Sequence, residues 1–279
     1  MDNILYLVAT PIGNLSDISE RALNTLREVD FIAAEDTRHT LKLLNHFDIK
    51  KPMVSYFEHN KKERGEYIIG RIKNGESCAL VTDAGTPAIS DPGEDIVSQC
   101  AEEGIDVIPV PGPCAFVQAL IISGLPTGRF SFEGFLSVNK QQRKKHLDEI
   151  KEMSHTLIFY EAPHKLITTL KDLYEAFGDR RISLVKEITK IHEKVIRTTL
   201  KEAQSLFEEN APKGEFVLVV EGFNEKVKPT EEITDEYILS YVKHLIDKGI
   251  DKKSAIKQTA QELNIQKRTV YSLVTEVLK

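Results

Sequence analysis

The sequence predicts an α/β protein whose first part is built on a parallel, doubly wound sheet. Short apolar runs, typical of buried strands, alternate with helical stretches over residues 3–123. Several of these runs end in loops rich in Gly, Pro and Asp, which form turns at the ends of strands. A Gly- and Pro-containing segment at residues 123–128 then precedes a second series of strands and helices. Together these observations predict two α/β domains.

Five strand–helix pairs account for the first part. The predicted strands are residues 3–10, 31–34, 53–56, 77–81 and 107–110. Helices are predicted at residues 16–29, with Ser16 as N-cap, and at residues 94–101 and 116–123. Between them, a second helix begins at about residue 37 and a third ends at about residue 73. The first loop contains the single Gly13, so the dinucleotide fingerprint G-x-G-x-x-G is absent, and no G-x-x-x-x-G-K-[ST] loop occurs. These absences disfavour NAD, FAD and nucleoside triphosphates as ligands.

The loop at residues 81–93 is the strongest candidate for a ligand site. It contains two Gly, two Pro and two Asp, and Gly85 has no side chain to keep a ligand from the backbone. An ordinary connection between a strand and a helix needs only about two to six residues. Because ligands of open α/β sheets bind at the carboxyl ends of strands, we expect this loop to bind a small molecule.

Ionisable residues follow the second strand directly, at Glu35, Asp36, Arg38 and His39. Charged groups are costly to place beside a core, which favours a functional role for them. The alternative is a solvated helix start, with Asp36 or Thr37 as the N-cap. Both interpretations stay open at this point.

The second part continues with strands predicted at residues 131–134, 156–160, 181–186 and 215–221. Helices are predicted between them at about residues 143–153, 165–177 and 200–208. A basic cluster at residues 140–145 is either a nucleic-acid contact or, as charge runs usually are, a solvated face. A polar linker is predicted from residue 224, so we place the domains at residues 1–122, 123–224 and 225–279.

The tail predicts a small helix-turn-helix. Apolar residues at helical spacing form two short helices around a turn at residues 264–266, and the second helix begins with Lys267 and Arg268. From residue 250 onward, six basic residues face three acidic ones. Such a module commonly binds nucleic acid, and the alternative is a helical unit for dimerisation or packing.

Composition limits the classes of function. The 279 residues suffice for two modest domains and an extension, and 41% hydrophobic with 29% charged residues is typical of a globular protein. No apolar run reaches the roughly twenty residues of a membrane span, and the N-terminus lacks signal-peptide features. Three cysteines without CxxC spacing predict reduced thiols in a cytoplasmic protein and no metal site. The net charge of −6 confines nucleic-acid binding to local basic patches.

Six motifs together resemble the tetrapyrrole methylase superfamily, and within it a branch of ribosomal RNA ribose methyltransferases. They are VATPIGNL at residues 8–15, AEDTR at 34–38, TDAGTPAISDPG at 82–93, SGLP at 123–126, FYEAPH at 159–164 and KEITK at 186–190. The resemblance implies two α/β domains, the second with a mixed sheet, and S-adenosylmethionine (AdoMet) bound in the cleft between them. It also implies a homodimer that methylates the ribose 2′-hydroxyl of a cytidine in the decoding region of 16S ribosomal RNA, within the small ribosomal subunit.

Carried onto this sequence, the resemblance implies cofactor-binding residues from both parts of the chain: Pro11, Asp83, Gly85, Thr86, Ile89, Cys114, Ala115, Glu161, Ile188 and Phe216. Cys114 departs from the family pattern, in which Ser usually follows Pro-Gly-Pro. Because Cys is also small and weakly polar, we expect it to fit the same position.

Methyl transfer to a hydroxyl needs in-line alignment, and a general base helps because a ribose hydroxyl is a weak acid. The candidate bases are Glu35, Asp36, His39, Glu161, His164 and Glu187. Our first choice is the loop with Glu35, Asp36 and Arg38, in which Arg38 can bind a phosphate. The predicted RNA contacts are Arg38, Lys140, Arg143, Lys144, Lys145, Lys165, Lys190, Lys267 and Arg268.

Two other functions stay open from the sequence. The same fold and cofactor can serve a small-molecule substrate such as a tetrapyrrole, although the basic clusters favour RNA. A protein from another class, a nucleic-acid-binding regulator whose α/β domains sense a ligand, would bind duplex DNA and transfer no methyl group.

Overall fold

The computed structural model describes residues 3–207, 212–224, 235–263 and 265–277. They divide into two compact units, one ending at Phe223 and one beginning at Asn224. The polar linker was predicted from residue 224, and its residues 225–234 lie outside the described residues. The finer division of the larger unit at residue 122 stays a prediction.

A five-stranded parallel sheet forms the first half of the larger unit. Its strands β1 to β5 lie in the order β3-β2-β4-β1-β5, and every neighbouring pair is parallel. Both β2 and β4 are buried along their whole length, as expected for inner strands covered on both faces. The doubly wound sheet predicted from the sequence is confirmed, with strands β1 (Ile4–Val8), β2 (Phe31–Ala34), β3 (Met53–Ser55), β4 (Cys78–Val81) and β5 (Asp106–Val110).

Four helices connect these strands, and their N-caps correct one sequence-based boundary. The first helix begins at Glu20 because the hydroxyl of Ser19 accepts a hydrogen bond from the N–H of Ala22 at 3.1 Å. The predicted cap, Ser16, lies instead in a short 3₁₀ turn capped by Asn14. The helices are α1 (Glu20–Glu28), α2 (Thr37–His46), α3 (Lys61–Lys73) and α4 (Gly93–Glu102).

The fifth helix, α5 (Ala115–Ser123), leaves the first sheet and packs on the second one. Its buried residues Ala119 and Leu120 join a core cluster with Ile158 and Val217 of that sheet. The helix ends at Gly124, whose φ of +80° is the left-handed conformation common after helices. The chain therefore crosses between the two halves before α5 begins.

A mixed five-stranded sheet forms the second half, in the order β6-β7-β10-β8-β9. Of the four neighbouring strand pairs that the structure describes in this sheet, β6 and β7 are parallel and the other three are antiparallel. Strand β9 was missing from the sequence-based prediction. Most of its residues are half-buried, and it lacks the continuous apolar run of a fully buried strand. The strands are β6 (Phe130–Phe135), β7 (Thr156–Glu161), β8 (Arg181–Lys186), β9 (Lys194–Thr199) and β10 (Phe216–Val220).

Three helices complete this half: α6 (Lys140–Ile150), α7 (Leu166–Phe177) and α8 (Leu200–Leu206). The helix expected to begin at residue 143 starts three residues earlier, because Asn139 caps it by accepting N–H groups of Gln141 and Gln142. The mixed sheet implied by the family resemblance is confirmed.

The smaller unit is a bundle of three helices, α9 (Asp235–Asp247), α10 (Lys252–Glu262) and α11 (Lys267–Val277). The last two are the predicted helix-turn-helix, whereas α9 was not predicted. They enclose a small apolar core that includes Val242, Ala255 and Val270. Among the helices that the structure describes, none combines the length and hydropathy needed to cross a bilayer.

Candidate active site

A cavity of about 440 Å³ opens at the carboxyl edge of the first sheet. The loops after β1, β2, β4 and β5 form one wall, and the ends of β6, β7, β8 and β10 form the other. Of the ten residues predicted to bind a cofactor, Pro11 is not in the wall, although its neighbour Ile12 is. The other nine line the cavity: Asp83, Gly85, Thr86, Ile89, Cys114, Ala115, Glu161, Ile188 and Phe216.

The loop at residues 82–92 is held in shape by Asp91. The Asp91 carboxylate accepts hydrogen bonds from the N–H groups of Ala88, Ile89 and Gly93 at 3.0, 3.1 and 2.8 Å. Both Ala88 and Ser90 have left-handed φ angles, of +67° and +63°, which cost about 1–3 kcal/mol each. A Cβ at Gly93 would lie 2.8 Å from the Ala88 nitrogen, so glycine is required there. The backbone of this loop is therefore strained, and the hydrogen bonds of Asp91 hold it in one conformation.

Two further contacts fasten this loop to its neighbours. Gly85 exchanges backbone hydrogen bonds of 2.9 and 3.1 Å with Thr10, just after β1. The Thr86 hydroxyl donates to the carbonyl of Pro113, after β5, at 2.9 Å. The loops after three strands thus form one connected wall, in which backbone groups are held in place for a ligand.

Glu35 is the one residue of the predicted catalytic set (Glu35, Asp36 and Arg38) that lines the cavity. Its carboxylate is half-buried and accepts the N–H of Asp83 at 3.4 Å. Burial raises the pKa of Glu35, and the negative charge of Asp83 adds to this, although the hydrogen bond from the Asp83 N–H opposes it. A raised pKa brings a carboxylate closer to the value that suits a general base near neutral pH.

Asp36 and Arg38 bind each other outside the cavity wall. Asp36 caps α2 by accepting the backbone N–H of Arg38 at 2.8 Å, and the Arg38 guanidinium contacts both carboxylate oxygens at 3.0 and 2.7 Å. The hydrogen bonds from Arg38 hold the pKa of Asp36 far below its usual value, which makes Asp36 a poor base. For Asp36, the helix-cap interpretation left open by the sequence is the one observed.

The carboxylates of two other candidate bases, Glu161 and Glu187, already accept hydrogen bonds within the protein. Glu161 is buried, and its carboxylate accepts the hydroxyl of Thr169 at 2.5 Å and the N–H of Ala162 at 2.8 Å. Glu187 accepts the N–H of Glu215 at 2.9 Å, and this hydrogen bond is the main cause of its lowered pKa. Among the four carboxylates predicted as candidate bases, Glu35 is thus the best placed for proton transfer.

Two aromatic residues of the wall were missed from the sequence, whereas a third, Phe216, was predicted. Phe135 and Tyr160 both line the cavity, with ring centroids 5.5 Å apart. The Tyr160 oxygen accepts the N–H of Phe116 at 3.2 Å, and burial raises the pKa of Tyr160 to about 12. A signal existed, because Tyr160 directly precedes Glu161 in the FYEAPH motif.

Arg143, predicted to contact RNA, has an internal role. Its guanidinium binds Asp172 of α7 at 2.6 Å and donates to the carbonyls of Ser137 and Val138 at 2.9 and 3.2 Å. The Arg143 side chain is only 12% exposed. It therefore braces the segment between β6 and α6, which lowers its value as an RNA contact.

Other predicted RNA contacts lie on several different elements of the fold. Lys144 and Lys145 are 73% and 80% exposed on α6, and each pairs with an acidic residue one turn along the helix. Lys190 binds two glutamates beside the cavity. Lys267 and Arg268 are exposed at the start of α11. No group of three or more potential metal ligands occurs in the part of the chain that the structure describes.

The fold and the cleft define a class of protein. A model of the family "Tetrapyrrole (Corrin/Porphyrin) Methylases" matches residues 4–204, so the chain belongs to that family. A solved structure of diphthine synthase superposes with a TM-score of 0.60 at 17% identity, covering 78% of this chain and 90% of that one. A cobalt precorrin-4 methyltransferase superposes with a TM-score of 0.57 at 18% identity, covering 78% and 94%. At these identities the likeness shows the fold alone.

Curated relatives narrow the class. A protein of Halalkalibacterium halodurans, named ribosomal RNA small subunit methyltransferase I, is 52% identical over 96% of this chain and 93% of its own length. Proteins of the same name from Synechocystis and Bacillus subtilis are 46% and 48% identical, each over more than nine tenths of both chains. The chain therefore belongs to the ribosomal RNA small subunit methyltransferase I family and is a methyltransferase. The family predicted from the six motifs is confirmed.

The raised pKa of Glu35 predicts a stability effect. Because protonated Glu35 is favoured in the folded protein, its contribution to stability is present below the unfolded pKa and lost as pH rises through the folded value. Glu35→Gln is therefore expected to raise the melting temperature at pH 7, and the gain should shrink toward pH 4. Thermal unfolding measured from pH 4 to 8 tests this, with the exposed Glu66→Gln as control. A lower melting temperature for Glu35→Gln at pH 7 would contradict it.

Proposed function

We propose that this methyltransferase uses AdoMet to methylate the ribose 2′-hydroxyl of a cytidine in the decoding region of 16S ribosomal RNA. Family membership supports the RNA substrate, since the relatives carry the name of a small-subunit ribosomal RNA methyltransferase. The observation that carries the cofactor assignment is the charge of the cavity wall. A ribosomal substrate would also place the protein in the cytoplasm.

The described residues of that wall include five carboxylates and no basic side chain: Glu35, Asp83, Asp91, Glu161 and Glu215. Lys190 binds Glu215 from outside the wall at 3.0 Å. AdoMet carries a sulfonium and an ammonium against one carboxylate, so its net positive charge suits an acidic wall. A phosphate-bearing cofactor, or a tetrapyrrole with several carboxylates, would be repelled by the same charges.

The rest of the cavity also fits AdoMet. Its volume of about 440 Å³ lies within the usual range of small-molecule sites. Backbone groups of residues 83–89 and 114–115 can bind the polar ends of the molecule. Apolar side chains such as Ile188, Phe216 and Val217 can pack against the adenosine. Bound AdoMet would supply an electrophilic methyl group on positively charged sulfur.

The chain's own residues would align the acceptor and remove its proton. We assign Glu35 as the general base: it accepts the 2′-hydroxyl proton while the new oxygen–carbon bond forms and the sulfur–carbon bond breaks. The N–H of Asp83 keeps the Glu35 carboxylate oriented. Backbone held by Asp91 keeps the wall rigid, and such rigidity favours the in-line geometry of the displacement.

Labelled AdoMet and undermethylated small ribosomal subunits test the proposal directly. The expected result is label in the ribose of one decoding-region cytidine. Glu35→Gln is expected to lower kcat by about 100-fold or more, the usual contribution of a general base, while Glu66→Gln stays at the wild-type rate. Label in a base, or no label in the RNA, would contradict the proposed function. A wild-type kcat for Glu35→Gln would contradict only the assignment of the base.

The tail predicts a second, separable effect. Lys267 and Arg268 are exposed at the start of α11, where a helix-turn-helix contacts nucleic acid. Lys267→Gln/Arg268→Gln is expected to weaken RNA binding. The slope of log affinity against log salt concentration should become less steep by about 1–2. Affinity for AdoMet, measured by calorimetry, should not change.

A charge-matched control uses two exposed lysines of the preceding helix, Lys253→Gln/Lys257→Gln. If this control weakens RNA binding as much as the α11 variant, the effect is one of net charge. If neither variant changes RNA binding, the tail is a packing unit, the alternative left open by the sequence.

We further propose that two copies of the chain associate through α5. This helix is apolar almost all round, and a helix of that kind is normally covered on every side. One side packs on the second sheet, whereas Val117 and Ile121, one turn apart, are 38% and 61% exposed. Ile121→Asp is expected to convert a dimer to a monomer in analytical ultracentrifugation. A wild-type monomer at micromolar concentration would contradict this proposal.

A further inference from the structure

Phe135 is aimed at the cavity by a β-bulge in strand β6. The register between β6 and β7 shifts between Phe132 and Gly134, which makes Glu133 an extra residue. In a regular strand, Phe135 would lie on the opposite face from Phe132, because side chains alternate. The bulge instead pairs Phe135 with Tyr160 and puts both rings on the face that lines the cavity.

The ring of Phe135 contributes little to the core. It is 57% exposed although it lines the cavity, so more than half of its surface lacks the stabilisation that burial of an aromatic side chain gives. Phe132 of the same strand is half-buried and packs against the core on this face, stacked on Phe116 with centroids 4.5 Å apart. A bulge that turns a large aromatic ring toward water beside the cavity indicates a partner for that ring.

The chain that follows Phe135 is rigid and leads to a basic helix. Arg143 holds the carbonyls of Ser137 and Val138, so this connection is fixed. Exposed lysines then occupy the first turns of α6: Lys140, Lys144 and Lys145. An exposed aromatic ring and, a few residues further along the chain, exposed cations are the residue types that bind single-stranded nucleic acid, with the ring on a base and the cations on the backbone.

We propose that Phe135 stacks on the base of the nucleotide whose ribose is methylated. This inference rests on the proposed RNA methylation. A 2′-hydroxyl that enters the cavity carries its own base to the cavity mouth, within one nucleotide of the ring. Enzymes that act on a single nucleotide hold it out of the helix, and stacking on an aromatic ring stabilises that state. Because every base has a π-face, Phe135 positions the nucleotide and does not select cytosine.

Substitutions of Phe135 distinguish stacking from other roles. Phe135→Ala is expected to lower kcat/KM for undermethylated small subunits by about 5- to 150-fold, the effect of one lost base–aromatic stack. The dissociation constant for AdoMet should stay within about twofold. Phe135→Tyr keeps the ring and should retain wild-type activity, whereas Phe135→Leu keeps apolar area without a ring and should resemble Phe135→Ala.

The matched control is Phe130→Ala. Phe130 lies on the same strand and is 43% exposed, but it is not part of the cavity wall. Its removal should leave kcat/KM within about twofold of wild type.

Fluorescence gives a second measurement, because the chain contains no Trp. Phe135→Trp places one fluorophore at the cavity mouth and keeps an aromatic face. Protein-free, undermethylated 16S ribosomal RNA is expected to quench its emission, and quenching should be absent for Phe130→Trp.

Each contrary result has its own meaning. Wild-type kcat/KM for Phe135→Ala, or no quenching of Phe135→Trp, overturns the inference. Full activity of Phe135→Leu would contradict stacking and would show that any apolar side chain suffices at this position. An equal loss of AdoMet affinity and activity in Phe135→Ala assigns the ring to the cofactor. A wild-type protein that methylates no ribosomal RNA refutes the proposed function itself, and the inference with it.

Discussion

The carboxylate of Asp91 is the interaction on which the cavity depends. Three backbone N–H groups converge on it, and hydrogen bonds to a charged acceptor are stronger than neutral ones. They offset the left-handed backbone of Ala88 and Ser90 in the same loop. The loop in turn positions Asp83, whose N–H binds Glu35 and whose carboxylate accepts the N–H of Asp36 at 3.1 Å. One turn thus determines the geometry of two loops and the environment of the proposed base.

Charge separates the two ligands that the proposed reaction brings together. The cavity wall carries carboxylates, whereas the exposed lysines of α6 lie outside that wall. A cationic cofactor is therefore attracted inward, and a polyanionic RNA is attracted to the surface and repelled from the interior. Only a hydroxyl at the edge of a nucleotide needs to enter, and Glu35 lies in the wall that it would meet.

The sequence predicted those parts of the fold that depend on local pattern. The strands of the first sheet are short apolar runs, and the long loop after β4 contains Gly and Pro residues typical of turns. Both features could therefore be predicted from the sequence. Strand β9 was missed because an edge strand needs no apolar run. The location of α5 was missed because an apolar helix does not reveal which sheet it covers. The bulge at Glu133 was missed because it exists only in the pairing of β6 with β7.

For the site, nine of the ten cofactor-binding residues predicted from the motifs line the cavity, but the motifs did not reveal how roles are divided among the charged residues. Glu35 and Asp36 are adjacent and chemically alike, yet burial raises the pKa of one and Arg38 lowers that of the other. Such a difference arises from three-dimensional contacts and has no sequence pattern.

Strain provides an independent indication of where the site lies. Glu187 and Thr189, next to Ile188 in the opposite wall, also have left-handed φ angles, of +51° and +63°. The buried hydroxyl of Thr189 has no hydrogen-bond partner among the described residues. A fold selected for stability alone would not keep strained residues and a half-buried carboxylate around one cavity, since each lowers the free energy of unfolding. Their concentration in both walls is therefore best explained by the ligand that the walls bind.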